Sequence, residues 1–290
     1  MDVGRYLQRI GFTGDVRGDE ETLHALVQAH LHTVPFENLD IHLGVPITLD
    51  EHAMYRKIVE SRRGGFCFEV NGLFGLLLRH LGFEVDYLAG QASLHGGFYP
   101  PFSHLALRVT VAGRPYLVDV GYGECIRAPM PLVAGAEQQA FGSTFTLREH
   151  GRGLRMVSCD EQGHTRGYLL DLEPRQLAQF NQMCQFLQTS IESMFTRRRL
   201  CTLPTPAGRL TVVEMRLLRS EHGTRSQREI PDEAAYLATL RSCFGIELPY
   251  MPRNKSDNLT GRLGKQAMLW QTRARRAWRR LTEPPLQVMT

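Results

Sequence analysis

The sequence predicts a mixed α+β protein, with a helical N-terminal region, a central antiparallel β region, and a C-terminal region that contains both helices and strands. Apolar residues recur at helical spacing through roughly the first eighty residues, alternate with polar ones from Phe83, and return to helical spacing after Asp171. The chain is 42% hydrophobic and 22% charged, as in globular proteins, and its 290 residues allow two or three compact units. This composition excludes a fully disordered chain.

The N-terminal region contains several residues that are typical of helix starts. Aspartate or threonine stands directly before each apolar-periodic segment, where its side chain can cap the first free backbone N–H groups. The last helix of the region starts at a cysteine and is strongly apolar. The expected helices run from Asp2 to near Ile10, from Asp19 to near His30, over 49–59 with Thr48 or Asp50 as the cap, and from Cys67 to Gly82.

Strand patterns dominate the centre of the chain. Residues 105–109 alternate apolar and polar side chains, and the apolar run 116–120 follows across a turn that contains Gly113 and Pro115. This pairing predicts a β-hairpin, followed by further strands of a small antiparallel sheet or barrel. The remaining expected elements are strands over 145–147, 153–158 and 167–170, helix from 171 to about 199, a strand over 210–217, a helix from Pro231-Asp232 to near Phe244-Gly245, and a linker over 249–255.

Cys67 is a candidate nucleophile. It follows Gly64 and Gly65, which allow a tight backbone turn, and it stands at the start of the apolar helix. Free N–H groups and the positive end of the dipole at a helix N-terminus favour thiolate over thiol. A buried structural cysteine is the alternative, so the assignment requires a nearby base.

The predicted hairpin supplies that base. A loop of two residues (112–113) or four (112–115) makes paired residue numbers sum to 225 or 227, which places His104 opposite residue 121 or 123. Asp119 then lies on the same face as His104, about 7 to 8 Å away between Cα atoms for the shorter loop. A three-residue loop would put the two on opposite faces. Because a carboxylate within an apolar run is costly to bury unpaired, we expect Asp119 to orient His104 as the base for Cys67.

Other sequence features narrow the function. The six cysteines show no zinc spacing and no C-x-x-C pair, so neither a disulfide framework nor a metal site is expected. The N-terminus has no signal-peptide pattern and no apolar stretch approaches about 18 residues, which predicts a cytoplasmic protein with no membrane partner. The net charge of +4 is mild, and the basic C-terminal segment 262–280, with Trp270 and Trp278, is more typical of a solvated helix face than of nucleic-acid binding.

Five segments, in order along roughly residues 1–220, resemble the arylamine N-acetyltransferase family. They are Pro35-Phe36-Glu37-Asn38-Leu39, Arg63-Gly64-Gly65-Phe66-Cys67-Phe68-Glu69, Ser103-His104-Leu105, Val118-Asp119-Val120-Gly121-Tyr122-Gly123, and, more weakly, Ser193-Met194-Phe195-Thr196 running into Arg209-Leu210-Thr211. The combination is specific, whereas each segment alone is not.

The resemblance implies a three-domain fold with a cysteine-protease-like Cys-His-Asp triad. The implied domains are a helical bundle over 1–86 that carries Cys67, an antiparallel β-barrel over 87–190 that carries His104 and Asp119, and an interdomain helix with an α/β lid over 191–290. The implied reaction is a ping-pong transfer in xenobiotic metabolism: Cys67 takes the acetyl group of acetyl-coenzyme A and passes it to an arylamine, hydrazine or hydroxylamine. A monomer or homodimer is expected.

The resemblance also implies further site residues, with less specificity. Phe36, Phe66 and Tyr122 correspond to aromatic walls of the acceptor pocket, and Phe195 to a wall from the lid side. Ser103 is a candidate contact for the pantetheine arm or the acceptor, and the backbone N–H groups of Cys67 and Gly123 are candidates for an oxyanion hole.

Two further observations concern the framework of the site. Arg63 and Glu37 resemble a structural pair that joins the first helical region to the active-site loop. The loop over residues 96–102 departs from the small polar residues of some family members, so the resemblance implies no contact of this loop with coenzyme A. The sequence contains no Walker or G-x-G-x-x-G phosphate loop, so the nucleotide end of the donor is expected at the surface.

Two other enzyme classes fit the same triad. One is an amide synthase of the same fold that releases a polyketide as a macrolactam from a carrier-bound thioester. The other is a Cys-His-Asp hydrolase or transglutaminase-like enzyme, with water or lysine as acceptor. A binding protein with an unreactive Cys67 would make the alignment of three triad members a coincidence.

Overall fold

The chain folds into a mixed α/β structure with two antiparallel sheets. The computed structural model describes residues 1–94, 97–123, 126–140, 142–160, 162–222 and 224–255. The basic segment 262–280 lies outside the described residues. None of the helices within these ranges is long and apolar enough to cross a membrane.

Helices form most of the first eighty residues, as predicted. Asp2, Asp19 and Asp50 each accept the backbone N–H three residues on, so Asp50 and not Thr48 caps the third predicted helix. That helix continues as a π-helical turn over Arg56–Glu60. The α-helices of the described residues are α1 (Val3–Ile10), α2 (Glu20–Thr33), α3 (Leu39–Leu43), α4 (Glu51–Tyr55), α5 (Cys67–His80), α6 (Asn181–Thr189), α7 (Met194–Arg197) and α8 (Glu233–Phe244).

The central strands form a nine-stranded antiparallel sheet in the order β6-β5-β4-β2-β10-β9-β8-β7, with β3 paired to β2. Gln138 of β7 links the two ends, because its side chain exchanges hydrogen bonds with the backbone of Ala128, just before β6. The sheet is therefore a nearly closed barrel. Its strands are β2 (Glu84–Leu94), β3 (Gly97–Phe98), β4 (His104–Val111), β5 (Arg114–Val118), β6 (Met130–Pro131), β7 (Glu137–Ala140), β8 (Ser143–His150), β9 (Gly153–Asp160) and β10 (Thr165–Arg175).

Alternate side chains of this sheet fill the barrel interior, as the period of two predicts. One buried cluster receives a residue from nearly every strand, and the opposite faces of β2, β4 and β5 pack against α5 and the other N-terminal helices. Helix α5 is therefore held against the barrel wall. The interior cluster comprises Leu88, Ala106, Leu117, Ile126, Met130, Phe145, Leu147, Leu154, Met156, Tyr168 and Leu170.

A second sheet of five strands, in the order β1-β11-β12-β13-β14, contains most of the C-terminal region. Its first strand comes from the N-terminal region, and α8 packs on one of its faces. The sheet therefore joins the two ends of the described chain. Its strands are β1 (Phe36–Glu37), β11 (Leu200–Thr205), β12 (Gly208–Val213), β13 (Arg216–Glu221) and β14 (Thr224–Glu229).

Two sequence-based predictions were wrong. Residues 171–175 continue β10 instead of starting a helix, because a register shift between Leu170 and Pro174 lets the strand resume pairing with β2. The predicted strand over 210–217 is two strands, β12 and β13, which meet in a tight turn at Glu214 with positive φ of 50°. In both cases long-range pairing overrode the local pattern.

Candidate active site

Cys67 is the first residue of α5 and is 3% exposed. Gly65 forms a parallel bridge with Phe36, and its carbonyl accepts the Glu37 N–H at 2.9 Å. A Cβ at Gly64 would overlap the Pro35 carbonyl oxygen. Neither glycine has positive φ. Gly64 is required because two backbone segments approach closely there, and Gly65 because a Cβ would lie 2.8 Å from Glu69 Cβ.

The β4–β5 hairpin has the two-residue loop. Leu107 pairs with Val118, so paired residue numbers sum to 225. Ala112 and Gly113 both have positive φ, 48° and 77°, as in a type I′ turn. This register places His104 and Asp119 on one face, as the two-residue loop predicted.

His104 and Asp119 are in direct contact. His104 Nε2 lies 2.7 Å from Asp119 Oδ2, and both side chains are almost fully buried. Because Nε2 donates to the carboxylate, Nδ1 is the ring nitrogen left to accept a proton. The arrangement therefore fixes the tautomer of His104.

Asn71, one turn after Cys67 on α5, completes the surroundings of Asp119. Its Nδ2 donates to Asp119 Oδ1 at 2.8 Å and to the Leu105 carbonyl at 2.7 Å, while its Oδ1 accepts the Val120 N–H at 2.9 Å. This side chain thus ties α5 to both β4 and the segment after β5. We did not identify Asn71 from the sequence, although a polar residue four positions after Cys67 on an apolar helix is a signal that could have found it.

The carboxyl of Asp119 is held in its charged form. Burial alone would raise its pKa, but the neighbouring His104 and the hydrogen bonds from Asn71 and the Gly121 N–H lower it overall. The ring of Tyr168 lies 4.5 Å from the His104 ring between centroids, so an aromatic wall of the barrel shields the pair. The sequence analysis assigned Tyr168 only to a strand.

Cys67 lies between the two paired strand ends. The Leu105 N–H interacts with its thiol, and a Cβ added to Gly121 would come within 2.8 Å of the Cys67 Cα. Burial, and next the charge of Asp119, raise the pKa of the Cys67 thiol. The predicted thiolate at the helix N-terminus is therefore opposed by desolvation, and the thiol needs a neighbouring proton acceptor to react.

The predicted aromatic residues lie at two places, three beside the entry to α5 and one on His104. Phe66 lies 5.9 Å from Phe195, Phe36 lies 6.1 Å from Phe195, and Tyr122 lies 5.5 Å from His104, all between ring centroids. Phe66 is fully buried, while Tyr122 and Phe195 are partly exposed. The structure thus brings Phe36, Phe66 and Phe195 together, whereas Tyr122 contacts the His104 ring and packs against the barrel interior.

Ser103 and Gly123 occupy different positions around this group. Ser103 is buried, and its Oγ accepts the Ala92 N–H at 3.1 Å, so it supports the end of β2. A Cβ added to Gly123 would lie 4.0 Å from Thr202 Cγ2. Gly123 therefore faces the five-stranded sheet.

The loop before His104 contacts α7. The Tyr99 hydroxyl accepts the Met194 N–H at 3.2 Å, and Asn38 Nδ2 donates to the Phe195 carbonyl at 2.9 Å. The short segment that carries Phe195 is thus fixed from the barrel on one side and from the N-terminal region on the other. Tyr99, one of the aromatic residues of this loop, therefore helps to hold the segment that carries Phe195.

A buried charge network supports the entry to α5. Arg63 Nη2 donates to Glu37 Oε1 at 2.7 Å and to Asp40 Oδ1 at 2.9 Å, and Lys57 Nζ lies 2.8 Å from both Asp40 Oδ2 and Glu69 Oε1. Glu69 Oε2 accepts the N–H of the residue before Cys67 at 3.1 Å. The network therefore connects β1 to the N-terminus of the cysteine helix through buried ion pairs.

Comparisons with known proteins agree with this architecture. A family model described as N-acetyltransferase matches residues 19–252. An arylamine N-acetyltransferase from Mycolicibacterium smegmatis is 34% identical over 255 residues, which cover 86% of this chain and 93% of that protein. The pineal gland isozyme of arylamine N-acetyltransferase from Gallus gallus is 32% identical, over 86% of this chain and 95% of its own length.

A solved structure shares the fold. Arylamine N-acetyltransferase from Mycobacterium marinum, determined in complex with CoA, superposes with a TM-score of 0.78 at 32% identity, and the match covers 84% of this chain and 93% of that one. Sequence and fold thus agree over nearly the full length of these relatives. The chain belongs to the arylamine N-acetyltransferase family.

Proposed function

We propose that this protein transfers an acetyl group from acetyl-CoA to the nitrogen of arylamines, arylhydrazines or N-hydroxyarylamines through an acetyl-Cys67 intermediate. The observation that carries the proposal is the hydrogen bond of 2.7 Å between His104 and Asp119 beside a buried cysteine at a helix N-terminus. Membership of the family supports the reaction class, and the CoA complex of the Mycobacterium marinum relative supports the donor.

In the first half-reaction the thiol proton moves to His104 Nδ1 as the sulfur attacks the thioester carbonyl. The transfer places an imidazolium between Asp119 and the forming thiolate, so the raised pKa of Cys67 is offset by charge within the site. Coenzyme A leaves as a thiol after taking the proton from His104. One thioester replaces another, so this step is nearly balanced in free energy.

The tetrahedral intermediate requires fixed donors for its oxyanion. The first backbone N–H groups of a helix have no partner within the helix, which favours the Cys67 N–H for this role, and the Gly123 N–H is the second candidate. The Cys67 N–H lies at the end of the buried charge network, and the Gly123 N–H belongs to the segment that follows the β4–β5 hairpin.

In the second half-reaction an amine attacks acetyl-Cys67 and loses its proton to His104. The C–S bond then breaks, the acetylated amine leaves, and His104 returns the proton to the Cys67 thiolate. The acceptor must be neutral and nucleophilic near pH 7, a condition that aromatic amines and hydrazines meet better than alkylamines. Phe36, Phe66 and Phe195 form an aromatic group suited to a flat ring, and Tyr122 adds a ring beside His104. Ser103 acts by holding the strand end that carries His104.

We further propose that the chain is organised as a helical unit over 1–86, a barrel unit over 87–190 and a lid unit over 191–290. The separate cores of the barrel interior and of the sheet with α8 support this division. The mechanism requires a free thiol at Cys67, which supports action in a reducing compartment such as the cytoplasm.

Intact-mass spectrometry tests the proposal. The protein is incubated briefly with acetyl-CoA and then with an arylamine or arylhydrazine, and Cys67→Ala is treated in parallel. We expect a gain of one acetyl group on Cys67 that disappears on addition of the amine, and no gain in the variant. A folded, thiol-reactive protein that is not acetylated by acetyl-CoA would refute the assignment and point to a carrier-bound acyl donor or to hydrolysis.

A further inference from the structure

The residue before Cys67 is held at both of its backbone polar groups. Glu69, two residues after Cys67, folds back so that its Oε2 accepts the Phe66 N–H at 3.1 Å. The Phe66 carbonyl accepts the N–H groups of Glu69 at 2.9 Å and of Val70 at 3.1 Å. The peptide units on either side of Phe66 therefore have little freedom to rotate.

These contacts set the direction of the Cys67 N–H. A peptide unit is planar and trans, so its N–H points opposite to its C=O. Because the Phe66 carbonyl points into α5, the Cys67 N–H in the same peptide unit points out of the helix N-terminus, where it has no acceptor within the helix. The direction of this candidate oxyanion donor thus depends on how Phe66 is held.

The carboxylate of Glu69 is itself held by Lys57. Lys57 Nζ lies 2.8 Å from both Glu69 Oε1 and Asp40 Oδ2, and the side chains of Lys57 and Glu69 are 12% and 3% exposed. Burial lowers the pKa of Lys57, but the carboxylates around it raise that pKa overall, so the ammonium group stays charged. Glu69 therefore offers one oxygen to the Phe66 N–H and the other to a fixed cation.

Stability alone does not account for this buried ion pair. The cost of taking two charges out of water often cancels their attraction, and apolar residues of similar size can replace such a pair without loss of stability. An apolar side chain at position 69, however, could not accept the Phe66 N–H. The arrangement therefore favours a geometric role for Lys57 and Glu69 over a purely stabilising one.

We propose that Lys57 and Glu69 are positioning residues that hold the Cys67 N–H in the direction needed to stabilise the oxyanion of acyl transfer. The inference rests on the proposed function. There the Cys67 sulfur attacks the thioester carbonyl, the electron pair of the C=O double bond moves to oxygen, and this oxygen accepts hydrogen bonds until the carbonyl re-forms and coenzyme A leaves. Both side chains are buried and act through the peptide unit between Phe66 and Cys67.

Two reagents that consume the Cys67 thiol test the proposal. Acetylation by p-nitrophenyl acetate develops an oxyanion and needs no coenzyme A, whereas alkylation by iodoacetamide displaces iodide at a saturated carbon and develops none. Rates are measured by p-nitrophenol release and by intact mass at about pH 8, where Glu69 is ionised because burial raises its pKa only to about 7. Alkylation confined to Cys67 also shows that each variant is folded.

We expect Glu69→Gln and Lys57→Gln each to slow acetylation about tenfold and to leave alkylation unchanged. This loss is smaller than the roughly 10²-fold or greater cost of removing an oxyanion donor, because the N–H is misdirected but still present. The double variant Lys57→Gln/Glu69→Gln should recover most of the acetylation rate. In that variant the amide oxygen at position 69 can accept the Phe66 N–H, while its NH2 group donates to the amide at position 57.

Arg108→Gln is the matched control, because it breaks an ion pair with Asp86 at half-buried positions of the barrel, and it should leave both rates unchanged. Equal loss of both rates in the two single variants, no loss of acetylation, a double variant no faster than the single ones, or an equal loss in Arg108→Gln would overturn the proposal. Alkylation rates that change in opposite directions would also overturn it, because Glu69→Gln and Lys57→Gln remove opposite charges and such a result indicates an electrostatic effect on the thiol. Acetylation of the wild type by p-nitrophenyl acetate but not by acetyl-CoA would instead refute the proposed function.

Discussion

Replacement of Asp119 by asparagine tests how the site controls the proton of His104. The carboxylate accepts three hydrogen bonds: from Asn71 and the Gly121 N–H on Oδ1, and from His104 on Oδ2. In Asp119→Asn the amide oxygen can retain the first two. Its NH2 group then faces His104 Nε2, which must become an acceptor and move its proton to Nδ1.

The consequences differ in size for activity and for stability. A proton on Nδ1 removes the lone pair that accepts the Cys67 proton in the proposed mechanism, and loss of the correct tautomer costs on the order of 10⁴-fold in rate in a triad enzyme. The free energy of unfolding falls by the contribution of one hydrogen bond to a charged group, roughly 2 kcal/mol, because the other two hydrogen bonds to residue 119 survive. The variant should therefore fold yet be almost inactive.

Rapid-quench mass spectrometry of Cys67 acetylation and urea denaturation measure the two effects. Asp86→Asn is a matched control, since Asp86 pairs with Arg108 at the half-buried surface of the barrel, and it should retain the wild-type acetylation rate. If Asp119→Asn acetylates Cys67 within tenfold of the wild-type rate, the tautomer argument is refuted.

The remaining predictions concern the surroundings of the triad. Tyr99→Phe removes the hydroxyl that accepts the Met194 N–H, so we expect a several-fold change in the kcat/KM ratio between bulky and small arylamines with unchanged Cys67 acetylation. Tyr55→Phe is the control, because the Tyr55 hydroxyl donates to the Asp2 carbonyl far from the site. Identical ratios in the wild type and both variants would contradict a role of Tyr99 in positioning the segment that carries Phe195. Glu37→Gln removes a charged partner of the buried Arg63 and should lower the free energy of unfolding, measured by urea titration, by about 3 kcal/mol. A change below about 0.5 kcal/mol, the usual range at uninvolved surface sites, would contradict a stabilising network. Burial raises the pKa of Glu69 to about 7, so from about pH 4.3 to 7 the folded carboxyl keeps a proton that the unfolded one has lost. The free energy of unfolding of the wild type, relative to Glu69→Gln, should thus fall as pH rises through that window, and a pH-independent difference would disprove the assignment.

The sequence predicted features that depend on local rules. Aspartates before apolar segments predicted the starts of α1, α2, α4 and α8, because an N-cap involves only residues three apart. The two-residue turn and the alternation of β4 and β5 predicted that His104 and Asp119 share a face, because register in a hairpin follows from loop length. The family resemblance was likewise carried by short contiguous segments.

Tertiary structure decided what depends on distant groups. Desolvation between the barrel wall and the N-terminal helices reversed the pKa direction expected for Cys67, since burial opposes the charged form more strongly than a helix terminus favours it. Asn71 gained its role only because α5 packs where β4 and β5 diverge.

The five-stranded sheet shows the same division. The sequence alone determines that Arg209, Ser220 and Arg225 occur on one stretch of chain, but their alignment follows from two successive strand pairings. The sequence pattern did not predict these pairings, because residues 210–217 were interpreted as a single strand. A turn of positive φ at Glu214 separates β12 from β13. Nonlocal pairing energies outweigh local propensity at such a position, so the three side chains come together only in the folded protein.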